Sequence, residues 1–237
     1  MKFQSVKGMD DVFPPEVEKW QTLEHKASIF FEAHGFREIR TPILEVTELF
    51  SRSIGEASDI VHKEMYTFED RGSRSLTLRP EMTAGVVRAV LEHHLLKDQE
   101  PLFVYYMGSM FRAERPQAGR KRQFHQIGVE TLNTHSPIND AELIIMVHGF
   151  LEWLGLKGYA VKLNHLGSEK DRAEFSRALK SYFTKIESKL CKDCQFRLER
   201  NVLRVFDCKV ELCQPLIEKA PRLNLSGDAK SNFDQVS

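Results

Sequence analysis

Residues 101–133, PLFVYYMGSMFRAERPQAGRKRQFHQIGVETLN, constrain the fold more than any other stretch, because two apolar runs flank a segment too long and too basic for a plain turn. Residues 102–110 are apolar on nearly every position of both alternation phases, which predicts a central strand covered on both faces. If residues 124–130 are extended, Phe124, Gln126, Gly128 and Glu130 share one face, while His125, Ile127 and Val129 share the other. Gly108, Met110, Arg112 and Glu114 likewise share a face of the first strand. Pairing that makes these faces coincide gathers an aromatic ring, an arginine, two carboxylates and an amide, with glycines expected to leave room for a ligand. The intervening segment carries Arg115, Arg120, Lys121 and Arg122 around Pro116 and Gly119. A hairpin needing only reversal uses two to five residues. Fork-shaped cations in a longer loop are what a polyphosphate requires, the alternative being a solvated basic loop.

The remaining chain reads as support for this hairpin. A chain of 237 residues with 41% hydrophobic content can bury a substantial core. Its 34 basic and 34 acidic side chains cancel, so a polyanion must be met by a local patch such as 115–122, not by a general field. The start, MKFQSVKGMDDVF, has no apolar signal region, and uninterrupted apolar runs such as 143–147 are too short to span a bilayer, so the expectation is cytoplasmic residence without a membrane partner. Of four cysteines, Cys191 and Cys194 form a CxxC, but Cys208 and Cys213 have four intervening residues and Cys208 sits in the run LRVFDCK. Scattered thiols near a helix end and a strand are the expectation, with no structural zinc.

Residues 14–34 read as a first helix with an apolar stripe of Trp20, Leu23, Ala27, Phe30 and Phe31, stopped by Gly35. Residues 36–45 read as a strand interrupted by Pro42, hence an edge or an interface. Two short strands, 65–69 and 75–79, bracket the turn DRGSR. Thr83 is then expected to cap a helix running to about 96, leaving Glu81 at a strand-to-helix junction where it either faces a ligand or serves the helix start. Farther on, 140–154 reads as a helix and 159–166 as a strand. Ser168 with Asp171 approximates a capping box for a helix to about 189, 203–209 reads as a strand, and the polar end, 227–237, is expected to fray. There is no GxGxxG and no GxxxxGK[ST], so a nucleotide would bind without a P-loop.

Three segments resemble one family. FRAERPQAGRKRQFHQIGVE is similar to motif 2 of the class II aminoacyl-tRNA synthetases in its histidyl-tRNA synthetase form, within a motif at about 102–132. LTLRPEMTAG, residues 76–85, resembles the histidine-binding segment, and FREIRTPILE resembles the end of motif 1, placed at about 15–45. The resemblance spans residues 1–237 and implies an α+β fold, an antiparallel sheet with mixed edges flanked by helices, incomplete at its C-terminal end. It implies the N-terminal portion of a catalytic domain without motif 3 or an anticodon-binding domain, expected to have reduced or no activity alone.

By the same resemblance the reaction is ATP-dependent activation of histidine to histidyl-adenylate and transfer to tRNA(His), by a homodimer. ATP is a substrate, with magnesium expected. Arg112 corresponds to the catalytic residue that holds the α-phosphate against the substrate carboxylate. Glu114 corresponds to the acceptor of the adenine amine, Phe124 to the ring stacked on adenine, and Arg120 and Arg122 to the ligands of the outgoing phosphates. Glu81 and Thr83 match the positions that hold the α-amine, Gln126 the one that orients the backbone end of histidine, and Glu130 the one that accepts an imidazole N–H. Met82 stands where many relatives have glycine. Two further readings stay open: a non-catalytic, histidine-sensing paralogue like the regulatory subunit of ATP phosphoribosyltransferase, and a structural dimerisation module.

Overall fold

The structure, a computed structural model, describes residues 3–55, 58, 60–97, 100–134 and 136–237. The chain divides into two compact units, Met1–His135 and Ser136–Ser237.

The first unit is built on two three-stranded sheets. Helix α1 (Glu16–Ala33) leads into β1 (Arg37–Glu38), which pairs parallel with β5 (Leu102–Phe111), itself antiparallel to β6 (Gln123–Leu132). In the other sheet β4 (Ser75–Leu78) lies between β2 (Leu44–Val46) and β3 (Tyr66–Glu69), all antiparallel. The run 36–45 is therefore not one interrupted strand. It is cut at Pro42 and its two halves join different sheets, because proline cannot donate to a ladder and the chain leaves the first sheet there. Helix α2 (Thr47–Ile54) and a π-helical turn at Ile60–Glu64 occupy the polar stretch that follows.

Strand β5 is covered on both faces, as its unbroken apolar run predicts. On one face Val104, Tyr106 and Met110 pack with Met82, Val86 and Val90 of the α3 region (α3, Thr83–Glu92). On the other, Tyr105 is fully buried against Phe31 of α1, ring centroids 5.6 Å apart, and its hydroxyl donates to Glu32 at 3.1 Å. Trp20 of α1 packs its ring 4.5 Å from that of His125 of β6, the planes tilted by 51°, so the odd-numbered face of the hairpin belongs to α1.

The second unit is helical, and among its described residues no strand forms. It comprises α4 (Pro137–Trp153), capped by Ser136, α5 (Glu169–Thr184), α6 (Lys192–Arg200), α7 (Gln214–Glu218) and α8 (Gly227–Val236), with 3-10 turns between. The capping box forms in full: Ser168 Oγ accepts from the Asp171 amide at 3.1 Å and the Asp171 carboxylate accepts from the Ser168 amide at 2.9 Å. Helix α5 ends at Thr184, earlier than expected, and Glu187–Lys189 is a separate 3-10 turn.

Four expectations fail in this unit. Residues 159–166 carry alternating apolar side chains but form no strand, and Tyr159, Val161 and Leu163 are exposed, since no neighbouring strand offers a ladder. Residues 203–209 also form no strand. Val202–Asp207 is 3-10 helix, and Val202, Val205 and Cys208 are all buried, a spacing of three that matches the 3-10 repeat. The C-terminal segment forms α8, anchored by buried Ala229. The four cysteines are not scattered: their sulfurs all lie within 4.8 Å of one another, and Cys194, Cys208 and Cys213 belong to the core with Leu179, Phe183 and Val205.

Candidate active site

The hairpin register makes the two site faces coincide. Met110 lies opposite Phe124, Gly108 opposite Gln126, Tyr106 opposite Gly128 and Val104 opposite Glu130. Cross-strand partners point to the same side of a sheet, so Phe124, Gln126 and Glu130 form one row on the face that α3 adjoins.

The glycines do not leave space for a ligand. A Cβ on Gly128 would lie 2.3 Å from the Tyr106 ring, and a Cβ on Gly108 would lie 2.6 Å from Nη2 of Arg79. Each glycine is a saddle across which a neighbouring polar side chain lies. Arg79 is almost fully buried. Its Nε donates to the Ser109 carbonyl at 2.9 Å and its Nη1 to the Thr41 carbonyl at 2.9 Å. Burial pulls the Arg79 guanidinium below its usual range, and the charge of Glu45 offsets part of that. Tyr106 lies toward Glu130, Thr83 and Glu81, and burial first, then the Glu130 charge, pushes its phenol up. Neither residue stands out in the sequence; two glycines in a strand pair were the available signal.

Glu130 stands at one end of the row. It accepts from the Thr83 hydroxyl at 2.6 Å and interacts with the Tyr106 hydroxyl. Burial pushes its carboxyl above the ordinary range and the charge of Glu81 adds to this, while the two hydroxyls act in the opposite sense. Thr83 is the first residue of α3 but not its cap. Glu81 takes that role, its carboxylate accepting from the amides of Thr83 at 2.7 Å and Ala84 at 3.1 Å, where the helix dipole favours an anion. Thr83 thus joins the two carboxylates, its amide donating to Glu81 and its hydroxyl to Glu130, and a cationic amine or an N–H ring entering here meets both.

The basic side of the hairpin is assembled differently. Arg112 donates from Nε to the Pro80 carbonyl at 2.9 Å and its guanidinium lies 5.1 Å from the centre of the Phe124 ring. Both contacts fix the plane of the fork. In the basic segment Arg120 pairs with Glu114 at 3.0 Å, and Arg122 donates to the Glu114 carbonyl at 3.2 Å. Gln117 and Arg120 close the tip by a bridge. The Gly8 carbonyl accepts the amides of Arg122 and Gln123 at 2.8 and 3.0 Å, and Lys121 pairs with Asp10 at 2.9 Å, so the N-terminal segment braces the hairpin base. The Arg120–Glu114 pair is largely exposed on its arginine side, and such pairs are worth about 0–1 kcal/mol, so a ligand with better partners for both can open it.

A cavity of about 760 Å³ shares Glu81 and Thr83 with this cluster. Its other walls are mostly apolar, Leu49, Ile54 and Ile60 beside Val87 and Leu91 of α3, with Ser53, Arg88 and Glu92 also lining it, while Arg112, Phe124, Gln126 and Glu130 do not. Among the described residues, no helix is long and apolar enough to cross a membrane.

The family described as histidyl-tRNA synthetase matches residues 8–171. The chain is 48% identical over 238 residues to the histidine–tRNA ligase of Halothermothrix orenii and 44% identical over 236 residues to that of Thermosipho melanesiensis. It spans little more than half the length of these relatives, 57% and 56%, while 100% and 99% of it is covered. Among solved structures, apo histidyl-tRNA synthetase of S. aureus superposes with a TM-score of 0.75 at 34% identity, covering 99% of this chain and 53% of that one. An ATP phosphoribosyltransferase regulatory subunit/histidyl-tRNA synthetase from Bacillus halodurans shares the fold, with a TM-score of 0.67 at 21% identity over 100% of this chain and 63% of that one.

Proposed function

The chain belongs to the histidyl-tRNA synthetase family, and we propose that its sheet face binds histidine and ATP for formation of histidyl-adenylate, the acyl group then passing to tRNA(His). The observation that carries this reading is Glu130: a half-buried carboxylate, held by Thr83 and flanked by Glu81, in one row with Gln126 and Phe124. An imidazole N–H satisfies Glu130 and the α-amine satisfies Glu81 and the Thr83 hydroxyl. An amino acid lacking the ring donor leaves Glu130, a half-buried carboxylate, with only the two hydroxyls as partners, which gives discrimination that shape alone does not.

In the proposed step the histidine carboxylate attacks the α-phosphorus and pyrophosphate leaves. The nucleophile is already ionised at neutral pH, so the site needs alignment and charge stabilisation but no general base. Gln126 orients the backbone end of the substrate. Arg112, its plane set by Pro80 and Phe124, directs its terminal nitrogens at the α-phosphate. ATP enters with magnesium as its counter-ion, the adenine amine takes Glu114, its ring stacks on Phe124, and Arg120 and Arg122 transfer to the outgoing phosphates. In this reading the Arg120–Glu114 pair holds the loop closed until nucleotide arrives.

We place these residues in the N-terminal portion of a class II catalytic domain that works as a homodimer in the cytoplasm. The dimer reading is supported by Ile43, Leu44 and Val46, apolar and 47%, 40% and 51% exposed around the Pro42 break. Histidine-dependent exchange of pyrophosphate into ATP tests the activity, and calorimetry tests the two ligands separately. Exchange, or binding of both ligands, upholds the reading. Histidine binding with no affinity for ATP would point to a sensing role instead.

A further inference from the structure

We infer that Cys191, Cys194, Cys208 and Cys213 form a structural zinc site in the second unit, independent of the histidine and ATP chemistry proposed above. The expectation of no zinc rested on the wide spacing of the second pair and on placing Cys208 in a strand. Neither ground survives the fold. The four sulfurs lie within 4.8 Å of one another, drawn from the N-terminal edge of α6, the residue after a 3-10 helix and the end of the next 3-10 turn.

The dimensions suit one tetrahedral ion. With zinc–sulfur bonds of about 2.3 Å, the edge of the sulfur tetrahedron is about 3.8 Å. Cys191 Sγ and Cys208 Sγ are 3.8 Å apart. A multi-iron cluster would hold its ligands farther apart, and a ligand set of four thiolates without oxygen or nitrogen favours zinc over the harder divalent ions. Both pair spacings, CxxC and CxxxxC, lie within the range of two to four intervening residues that structural zinc sites use.

The surroundings are those of thiolates. The Cys191 amide donates to Cys213 Sγ at 3.3 Å and the Val210 amide donates to Cys208 Sγ at 3.4 Å, the kind of outer contact that orients ligands and disperses their charge. Lys192 and Lys209, each adjacent to a ligand and exposed, can offset the net double negative charge of a zinc bound by four thiolates. On binding, each thiol gives its proton to solvent as the metal–sulfur bond forms, and no electron is exchanged. The ion would tie together a segment of short helices and 3-10 turns beside a core that includes Leu179, Phe183, Leu198 and Val205.

The test uses the whole chain, purified under reducing conditions without chelator. Plasma mass spectrometry is expected to find one zinc per chain, released in proportion as a mercurial titrates four thiols. A strong chelator should then lower the helical circular dichroism and the melting temperature, and zinc should restore both. Cobalt taken up in place of zinc should show the intense visible bands of a tetrahedral thiolate site, and Cys194→Ser and Cys208→Ser should each lose stoichiometric metal. Metal-free protein with four freely reactive thiols and an unchanged melt overturns the inference. So does stoichiometric iron, or a Cys191–Cys208 disulfide found by mass in place of metal. None of these readouts depends on ligation activity, so failure here leaves the proposed function standing.

Discussion

Gly128→Ala offers the sharpest test of how the site is built. The new methyl would stand 2.3 Å from Cζ, 2.4 Å from the hydroxyl oxygen and 2.7 Å from Cε2 of Tyr106. These atoms belong to the phenol of a side chain only 7% exposed and packed beside Met82 and Val86, so neither partner can move freely. Overpacking of this kind costs about 1–3 kcal/mol, and a domain of this size loses roughly 2–4 °C of melting temperature per kcal/mol. The unfolding transition is therefore expected to fall by about 2–12 °C. Displacing the ring also takes its hydroxyl from Glu130, and a hydrogen bond to a charged group is worth about 1.5–3 kcal/mol, so histidine affinity should weaken by about 10-fold or more. The control is Gly128→Ala in a Tyr106→Leu background, where the clashing atoms are gone. There the cost should shrink, giving a coupling energy of about 1 kcal/mol or more. A melt unchanged by Gly128→Ala, or strict additivity of the two substitutions, would refute the argument that this glycine exists to seat Tyr106.

Arg112→Ala is expected to slow pyrophosphate exchange by about 100-fold or more, since it removes a fixed donor from the site of charge development; single-turnover rates with normal histidine affinity would locate the loss in the chemical step. Asp171→Asn should destabilise the second unit at neutral pH by an amount that vanishes in acid. The Asp171 carboxyl is held down to about 2, first by the Ser226 hydroxyl and then by the Ser168 amide. A depressed carboxylate contributes stability above its unfolded pKa and loses it as pH falls toward about 2, so melts of the two proteins across that window should converge. Sedimentation should find a dimer at tens of micromolar, and Leu44→Glu with Val46→Glu should give monomers; a monomeric parent chain at that concentration would remove the dimer from the reading.

What was legible depended on whether one periodicity could satisfy a segment. Strands β5 and β6 could be read because the apolar run of one and the alternation of the other allow a single register, and that register carried Phe124, Gln126 and Glu130 to one face. The capping box of α5 was legible because its two bonds are local. Residues 159–166 and 203–209 misled for opposite reasons. The first alternates without a partner to pair with. The second is an apolar run whose burial follows a spacing of three, which strand and helix templates both miss. Arg79 was hidden because a buried arginine satisfied by main-chain carbonyls leaves no partner in sequence, and only Gly108, 29 positions away, records its passage.

The contrast between the arginines separates a fixed part of the site from a movable one. Arg79 and Arg112 donate to main-chain carbonyls at Ser109, Thr41 and Pro80, groups that belong to paired or proline-stiffened backbone and cannot rotate away. Their guanidinium planes are therefore set before any ligand arrives, which is the condition for stabilising charge during reaction without reorganisation. Arg120 is held by a side-chain carboxylate at a hairpin tip, in an exposed pair worth about 0–1 kcal/mol. A nucleotide that offers phosphate to Arg120 and an amine to Glu114 replaces one weak pair by two charge-assisted contacts, so exchange is downhill. Position in the fold, more than residue type, thus supports the proposed roles, with Arg112 beside the sheet acting on the transition state and Arg120 at the tip governing admission and release.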